Sequence, residues 1–366
     1  MPIEITRRAT RRIQVGNVPV GDGAPITVQS MTNTPTADVD ATVAQIHRLE
    51  ASGCELVRVA VPDMDAAAAI GAIKARITIP LIADIHFDHR LAIAAAQHGA
   101  DALRINPGNI GGRKKVDEVV ACARDRQLPI RIGVNSGSLE KDLLATHGGA
   151  TPAAMVESAM GHVRLLEDAG FERIKISIKA SDVPRTVAAY RLLAQQTDHP
   201  LHLGITEAGS LYAGVVKSAM GIGMLLAEGI GDTLRVSLTR DCVEEVRVGF
   251  EILKALDIRR RGPEIISCPT CGRCGIDLIE VVDQVEKALL PRTVPIKLAI
   301  MGCVVNGPGE AREADIGIAG GEGVGILFKK GKVIRKVPRD QLVAVLLAEV
   351  DQWEKENGAA TTDERS

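Results

Sequence analysis

The stretch Leu56-Val-Arg-Val-Ala-Val61 is a short aliphatic run, and an alanine-rich amphipathic segment, residues 64–77, follows it. A second aliphatic run, Pro80-Leu-Ile-Ala-Asp-Ile85, comes next, so the order is strand, helix, strand. Parallel strands that are buried on both faces have aliphatic sequences of this kind. Outward from this stretch, in both directions, the same alternation accounts for most of the chain.

The alternation occurs eight times between residues 26 and 256. We predict strands at residues 26–31, 56–61, 80–85, 102–106, 129–135, 173–179, 201–206 and 233–238. The predicted helices cover residues 38–52, 64–77, 90–98, 113–126, 152–169, 183–196, 216–229 and 243–256. Eight such units match the size and order of a TIM (β/α)8 barrel, an α/β fold. A doubly wound sheet is the alternative, but it seldom needs eight regular units, and we find no Gly-rich dinucleotide turn.

Other segments complete the predicted organisation. Residues 11–23 alternate and turn at Gly16-Asn17, which predicts a β-hairpin that plugs the bottom of the barrel. The pattern changes after a polar linker at residues 259–263, and a strand, a helix at 277–289 and further short strands predict a small α+β domain. The predicted domains are therefore 1–258 for the barrel, 264–357 for the small domain, and 358–366 for a flexible tail.

Composition excludes several classes of protein. Hydrophobic residues make up 46% of the chain and aromatic residues only 2%, so the core must be aliphatic. A net charge of -2 gives no general attraction to nucleic acid or to an anionic membrane. The first residues lack the apolar segment of a signal peptide, and no window of about 18 apolar residues occurs. With seven cysteines, an odd number, we expect reduced thiols and a cytoplasmic location.

Four predicted strands each contain one arginine: Arg58, Arg104, Arg131 and Arg235. A buried guanidinium is costly unless it meets an anion, and the site of a TIM barrel lies at the C-terminal ends of its strands. These arginines therefore predict a phosphate or diphosphate site at the barrel mouth, although each could instead serve the barrel through an acidic partner. The other polar residues that interrupt or end the strands are Gln29, Asn33, Asp84, His86, Asn106, Asn109, Asn135, Lys175, Lys179, His202, Thr206, Glu207 and Ser237.

Two segments near the C-terminus are rich in cysteine: Cys268-Pro-Thr-Cys271-Gly-Arg-Cys274, and Met301-Gly-Cys303-Val-Val-Asn-Gly-Pro-Gly-Glu310. Thiolate-rich sites suit zinc or an iron–sulfur cluster. Four thiolates could form a zinc site, but structural zinc usually takes paired Cys-x-x-Cys knuckles, and Cys303 has no second cysteine beside it. An iron–sulfur cluster is favoured, and zinc remains the alternative. The other cysteines, expected to be inert, are Cys54, Cys122 and Cys242.

The chain resembles the bacterial 4-hydroxy-3-methylbut-2-enyl diphosphate synthases of the methylerythritol phosphate pathway, and the resemblance runs nearly from end to end. It rests on the two cysteine segments and on several long motifs in the predicted barrel. These are Gly16-Asn-Val-Pro-Val-Gly-Asp-Gly-Ala-Pro25, Val28-Gln-Ser-Met-Thr-Asn33, Ala83-Asp-Ile-His-Phe-Asp88, Leu103-Arg-Ile-Asn-Pro-Gly-Asn-Ile-Gly111, Ile132-Gly-Val-Asn135, Leu203-Gly-Ile-Thr-Glu-Ala-Gly209 and Gly229-Ile-Gly-Asp-Thr-Leu-Arg-Val-Ser-Leu238.

The resemblance implies a TIM barrel joined to a domain similar to the [4Fe–4S] part of sulfite and nitrite reductases. It implies a cluster held by Cys268, Cys271, Cys303 and Glu310, whereas Cys274 departs from the family pattern. The implied reaction is the two-electron reduction of 2-C-methyl-D-erythritol 2,4-cyclodiphosphate, with flavodoxin or ferredoxin as electron donor. Glu207 is the expected proton donor, with Glu310 as the other catalytic residue. The expected substrate-binding residues are Arg58, Asp84, Arg104, Arg131, Asn135, Lys179, Arg235 and Ser237.

The linker predicts the assembly. It leaves the barrel from the helix after the last strand, near the bottom face, whereas the substrate site lies at the top. A small domain on so short a linker barely reaches its own barrel mouth, so we expect a homodimer with catalysis in trans, as the resemblance also implies. Two alternatives to the reductive synthase are a zinc-stapled, redox-free lyase that handles phosphates, and a non-catalytic electron carrier.

Overall fold

The computed structural model describes residues 4–303, 309, 311–321 and 323–357. Two compact units divide between Arg259 and Arg260. The predicted tail at 358–366 and the predicted ligand Glu310 lie outside the described residues.

The first unit is a parallel barrel. An antiparallel hairpin, β1 (Ile13–Val15) and β2 (Val18–Val20), precedes it. The barrel strands are β3 (Thr27–Met31), β4 (Leu56–Ala60), β5 (Leu81–Asp84), β6 (Ala102–Ile105), β7 (Ile130–Asn135), β8 (Ile174–Lys179), β9 (His202–Leu203) and β10 (Thr233–Leu234). They pair in the order β8-β7-β6-β5-β4-β3-β10-β9, and a parallel bridge between Ile176 and Leu201 closes the ring. The predicted TIM barrel is confirmed, although its last two strands are much shorter than expected.

Helices follow the strands. They are α1 (Val39–Ala51), α2 (Met64–Lys74), α3 (His89–Gln97), α4 (Pro107–Ile110), α5 (Arg113–Asp125), α6 (Lys141–Thr146), α7 (Pro152–Glu167), α8 (Val183–Ala194), α9 (Leu211–Ala227) and α10 (Cys242–Ala255). Aspartate side chains accept a backbone N–H at the start of α1, α2, α3, α8 and α10. Such caps satisfy N–H groups that the helix itself leaves unpaired, which explains why these helices begin where they do.

The hairpin forms the lower cover of part of the barrel. Its buried side chains pack against Leu56, Ile82 and Ala102, which lie at or near the first residues of three neighbouring strands. Gly16 turns the hairpin at φ 56°, and a Cβ there would lie 2.9 Å from Pro80 Cγ. The predicted plug at the bottom of the barrel is therefore present.

The second unit holds a mixed sheet. Its strands are β11 (Glu264–Ser267), β12 (Lys297–Met301), β13 (Ile316–Ala319), β14 (Val324–Lys329) and β15 (Lys332–Pro338), in that order across the sheet. The first three are parallel and the last two antiparallel to their neighbours. Two helices, α11 (Leu278–Leu289) and α12 (Leu342–Asn357), pack with the sheet around one aliphatic core. Among the described residues of both units, no helix is long and apolar enough to cross a membrane.

Candidate active site

The inward-facing side chains of the barrel form layers. In a TIM barrel, alternate strands contribute four side chains to each layer. The pairing registers around the closed ring give these layers from the bottom upward: Leu56, Ala102, Lys175 and Thr233; Gln29, Ile82, Arg131 and His202; Arg58, Arg104, Ser177 and Arg235; Met31, Asp84, Gly133 and Gly204. Long cationic side chains thus occupy the three lower layers.

Asp84 neutralises part of this positive charge. Its Oδ1 accepts from Arg104 Nη1 at 3.0 Å, and its Oδ2 lies 3.4 Å from Arg58 Nε. His86 Nε2 is 3.7 Å from the same carboxylate. Burial alone would raise the pKa of Asp84, but Arg58, His86 and Arg104 more than offset it, and the net shift is downward. Asp84 is therefore a firmly ionised counter-charge and not a candidate for proton transfer.

Arg235 has a carboxylate partner that the sequence did not reveal. Glu245, on α10 and 3% exposed, accepts from Arg235 Nη2 with Oε1 at 3.0 Å and Oε2 at 3.1 Å. The same carboxylate also accepts from Leu238 N and Ser30 Oγ. The sequence does contain a signal for this pair, because Glu245 lies on the same face of α10 as the apolar residues Cys242 and Val246. A carboxylate at such a position needs a buried cationic partner.

Other cations in the barrel keep unused donors. Arg131 Nη1 donates to Ser177 Oγ at 2.9 Å, but its Nε and Nη2 have no partner. Arg104 Nε and Lys175 Nζ, both buried, also lack one. Buried polar groups in native proteins are almost always satisfied, so each exception points to a ligand or ordered water. These donors are the strongest sign of a bound anion in the described residues.

The pKa shifts of the barrel cations also favour an anion at this site. Burial and then the neighbouring Arg131 lower the pKa of Lys175 to about 7. Burial and then Arg131 and Arg58 lower the pKa of Lys179 well below its usual value. For Arg58, burial lowers the pKa to about 10, although Asp84 opposes the shift. Desolvation and mutual repulsion thus disfavour the charged forms, and a polyanion among them would reverse both effects.

Two glycines make room for these side chains. A Cβ at Gly133 would lie 2.4 Å from Arg104 Nε, and a Cβ at Gly204 would lie 2.7 Å from Lys179 Nζ. Both glycines face inward, within the motifs Ile132-Gly-Val-Asn135 and Leu203-Gly-Ile-Thr-Glu-Ala-Gly209. Their small size is what allows the long cationic side chains to extend inside the barrel.

The remaining predicted barrel residues lie at or beyond the upper ends of the strands. Asn135, half-buried, pairs in register with Lys179 across β7 and β8. Ser237, also half-buried, follows β10. Glu207 is exposed in the loop after β9, with a left-handed backbone at φ 50°. A non-glycine residue in that conformation is strained, a feature that often marks functional loops. Asn106, by contrast, caps α4 by accepting from Gly108 N.

The two cysteine segments come together in the second unit. Gly302 N donates to Cys268 Sγ at 3.2 Å, and Gly275 N donates to Gly302 O at 2.8 Å. Cys271 is exposed, and a hydrogen bond from the backbone of Arg273 lowers the pKa of its thiol. Backbone donors to sulfur and a stabilised thiolate are what a thiolate-bound metal centre requires.

Cys274 has a packing role. Its Sγ donates to Ile276 O at 3.2 Å. The same Sγ would lie only 2.5 Å from a Cβ placed on Gly302. Cys303, the residue after Gly302, is half-buried. In the part of the chain that the structure describes, no three Cys, His, Asp or Glu side chains are grouped closely enough to hold a metal ion. The donor set of Cys268, Cys271 and Cys303 fits an iron–sulfur cluster by its chemistry, and Glu310 lies outside the described residues.

Comparison with known proteins identifies relatives of both units. The family model described as the GcpE TIM-barrel domain matches residues 10–250, and the one described as the GcpE protein C-terminal domain matches residues 264–352. A protein of Geobacter sulfurreducens named 4-hydroxy-3-methylbut-2-en-1-yl diphosphate synthase (flavodoxin) is 64% identical over 94% of this chain and 97% of its own length. One of the same name from Desulfotalea psychrophila is 60% identical over 96% of this chain and 98% of its own length.

Among solved structures, a dihydropteroate synthase from Stenotrophomonas maltophilia covers 68% of this chain and 98% of its own. The TM-score is 0.50 and the sequence identity 15%. At that identity the likeness shows the barrel fold alone.

Proposed function

The chain belongs to the GcpE family, and from that membership we propose how its residues share the work of a 4-hydroxy-3-methylbut-2-en-1-yl diphosphate synthase. The enzyme is an oxidoreductase of isoprenoid biosynthesis. It reduces 2-C-methyl-D-erythritol 2,4-cyclodiphosphate by two electrons, which opens the ring and removes a hydroxyl group as water. The named relatives indicate flavodoxin as the electron donor.

The barrel cations bind the diphosphate. The observation that carries this proposal is the set of buried, unpartnered donors on Arg104 and Arg131. Asp84 and Glu245 balance only part of the positive charge around them. A diphosphate supplies several oxygens and the missing negative charge, and guanidinium groups bind such oxygens well. Asn135, Lys179 and Ser237 line the rim above and hold the rest of the substrate.

Substituting Arg58, Arg104 or Arg131 with Met tests this assignment. Each loss of a charge-assisted contact should weaken binding by about 1.5–3 kcal/mol, or roughly 10- to 150-fold. Calorimetric titration of the oxidised holoprotein with the cyclic diphosphate measures it, and Arg126→Met, on an exposed residue at the end of α5, is the control. Unchanged affinity in all three variants would assign these arginines to barrel structure instead.

Glu207 donates a proton in the proposed reaction. Its position after β9, at the upper end of the barrel, and its strained backbone support this role. Glu207→Gln keeps the shape but not the proton, so turnover should fall while the substrate affinity stays near that of the wild type. Equal turnover in the two proteins would remove Glu207 from the reaction.

A [4Fe–4S] cluster binds to Cys268, Cys271 and Cys303, with Glu310 as the fourth ligand. When bound, the cluster supplies the electrons one at a time to the substrate. The hydrogen bond from Gly302 N to Cys268 Sγ and the lowered pKa of Cys271 support the thiolate set. The protein's own contribution is to hold the sulfurs and to exclude Cys274, whose thiol is engaged with the backbone.

Iron and sulfide analysis of single variants tests the ligand set. Cys268→Ser, Cys271→Ser and Cys303→Ser should each lose the cluster, whereas Cys274→Ser should retain it. An iron-free Cys274→Ser protein would overturn the assignment. Glu310→Gln should leave a more labile cluster and much less activity, and wild-type activity in that variant would exclude Glu310 as a ligand.

The enzyme is a homodimer that catalyses in trans, with the barrel of one copy and the cluster of the other in each site. One support is that the barrel unit ends at its bottom face: Arg259 donates to Ile26 O at 2.7 Å and pairs with Glu55 at 2.9 Å, just before β3 and β4. A second is a stripe of exposed apolar side chains on α9, spaced four residues apart, which suits contact with another copy. The stripe consists of Tyr212, Val216, Met220 and Met224.

Subunit mixing tests the trans arrangement. At a substrate concentration well below the weakened Kd of Arg131→Met, this variant and Cys303→Ser should each have little activity, but a heterodimer of the two would have one complete site. Random exchange makes half of the dimers mixed, so about a quarter of wild-type activity should return. Mixtures as inactive as either parent would place the whole site within one chain.

The odd number of cysteines supports a cytoplasmic location for this dimer.

A further inference from the structure

Three buried polar side chains in the two lowest layers of the barrel have unused hydrogen-bonding atoms. Gln29 and His202 are 0% exposed and Lys175 is 2% exposed. Both amide atoms of Gln29, Nζ of Lys175 and Nε2 of His202 lack partners. The same holds for Nε and Nη2 of Arg131, which lies at the same depth. Such groups are rarely left unsatisfied in native proteins.

These residues occupy one side of the barrel interior. Lys175 shares its layer with Leu56 and Ala102, which pack on the hairpin, whereas Gln29 and His202 lie in the layer above, together with Arg131. The lower barrel is therefore apolar on the side of β4 to β6 and polar on the side of β7 to β9 and β3. An apolar core would have filled the space with hydrocarbon on both sides.

We propose that Lys175 and Arg131 form the floor of the diphosphate site and bind its inner phosphate group, with Gln29 and His202 as neutral polar walls. The inference rests on the proposed function and assigns a further binding residue to the same site. Lys175 and Arg131 are register partners on neighbouring strands, so their side chains extend from one side into the same space. Their free donors match the oxygens of a phosphate group.

His202 is suited to the neutral role. Its Nδ1 is 2.8 Å from Thr233 Oγ1, and when Nδ1 accepts from that hydroxyl, Nε2 carries a proton and is a donor. Burial and then the nearby Lys179 and Arg131 lower the pKa of His202 well below its usual value. A neutral donor adds a hydrogen bond to the phosphate without adding to the repulsion among the cations.

Binding should also change the protonation of Lys175. The charged and titratable groups that act on it are Arg131 and His202 on the neighbouring strands, Arg58 on β4 across the barrel, and Asp232 below β10. In the free protein, burial and Arg131 hold the pKa of Lys175 at about 7, so much of it is neutral at pH 7.5. A phosphate beside it raises the pKa, and the complex takes up a proton.

Calorimetric titration of the full-length oxidised holoprotein with the cyclic diphosphate at pH 7.5 tests the proposal. Repeating it in buffers of different ionisation enthalpy gives the number of protons taken up. Lys175→Met should bind about 10- to 100-fold more weakly and lose most of the proton uptake. Lys175→Arg should recover affinity without proton uptake, because arginine stays charged. Lys114→Met, on an exposed lysine of α5, is the matched control and should behave as the wild type.

The outcomes separate this inference from the proposed function. If Lys175→Met binds as tightly as the wild type and takes up the same protons, while Arg131→Met binds weakly, the floor subsite holds only water and the inference fails. If neither substitution weakens binding, and Arg58→Met and Arg104→Met also keep their affinity, the diphosphate binds elsewhere and the proposed binding role of the barrel cations fails as well. Lys175→Gln replaces Lys175→Met if the latter does not fold.

Discussion

Removing the charge of Asp84 is the perturbation that probes the barrel electrostatics most sharply. Asp84 is 3% exposed and is the shared partner of Arg58 and Arg104. Asp84→Asn keeps the side-chain volume but leaves both guanidinium groups without their carboxylate. The nearby Arg131 and Lys175 have unpartnered donors and no negative charge, so they cannot replace the lost carboxylate.

Breaking a buried ion pair by removing one partner costs about 3–5 kcal/mol, because the other charge stays buried and uncompensated. For a domain of 150–250 residues, each kcal/mol lowers the melting temperature by about 2–4 °C. The barrel is slightly larger, so a decrease of roughly 6–15 °C is expected. Neighbouring cations keep the pKa of Asp84 low, so the wild-type carboxylate stays ionised and the decrease should be the same at pH 5 and pH 8.

Thermal unfolding followed by circular dichroism measures the effect, with and without pyrophosphate. The anion replaces the missing negative charge, so it should raise the melting temperature of Asp84→Asn more than that of the wild type. Asp125→Asn, at the exposed end of α5, is the control and should shift stability by no more than about 0.5 kcal/mol. If Asp84→Asn melts with the control, the barrel cations do not depend on this carboxylate, and the electrostatic reasoning is refuted.

Three further predictions concern other parts of the molecule. Gly302→Ala should lose iron, because the added Cβ would lie 2.5 Å from Cys274 Sγ. Adding Cys274→Ala removes that clash and should restore the iron content. A double variant without iron would point to another cause. Met220→Glu, on the exposed stripe of α9, should shift sedimentation toward the monomer, and an unchanged dimer would exclude that face. The free energy of unfolding of the ligand-free wild type, relative to that of Lys175→Met, should rise from pH 7 toward pH 10. In this range the unfolded chain binds a proton at Lys175 that the folded chain does not. A difference in melting temperature that does not change with pH would contradict the lowered pKa.

The barrel could be predicted from sequence because its signals are local. Each aliphatic run is followed by an amphipathic segment, and aspartates stand where five of the helices begin. The secondary-structure predictions that differ from the structure also concern short local segments. The motif Pro107-Gly-Asn-Ile110 contains two residues that disfavour helix interiors, yet it forms α4, in which Asn106 is the cap and Pro107 stands in the first turn, where proline is tolerated. Residues 201–206 look like one strand, but only His202–Leu203 forms regular pairs.

The site was less predictable because it depends on pairs distant in the chain. The arginines within the strands predicted an anion at the barrel mouth, but they did not indicate which carboxylates pair with them in the folded chain. Arg235 pairs with Glu245 on the following helix, a residue absent from the predicted site. The depth of Lys175 depends on registers around the whole ring, which no single strand sequence specifies.

The most direct test of the central claim is a crystal structure of the anaerobically purified holoprotein with the cyclic diphosphate bound. We expect phosphate oxygens within hydrogen-bonding distance of Arg58, Arg104 and Arg131 inside the barrel. Two phosphate groups bound elsewhere, with water alone against those guanidinium groups, would contradict it.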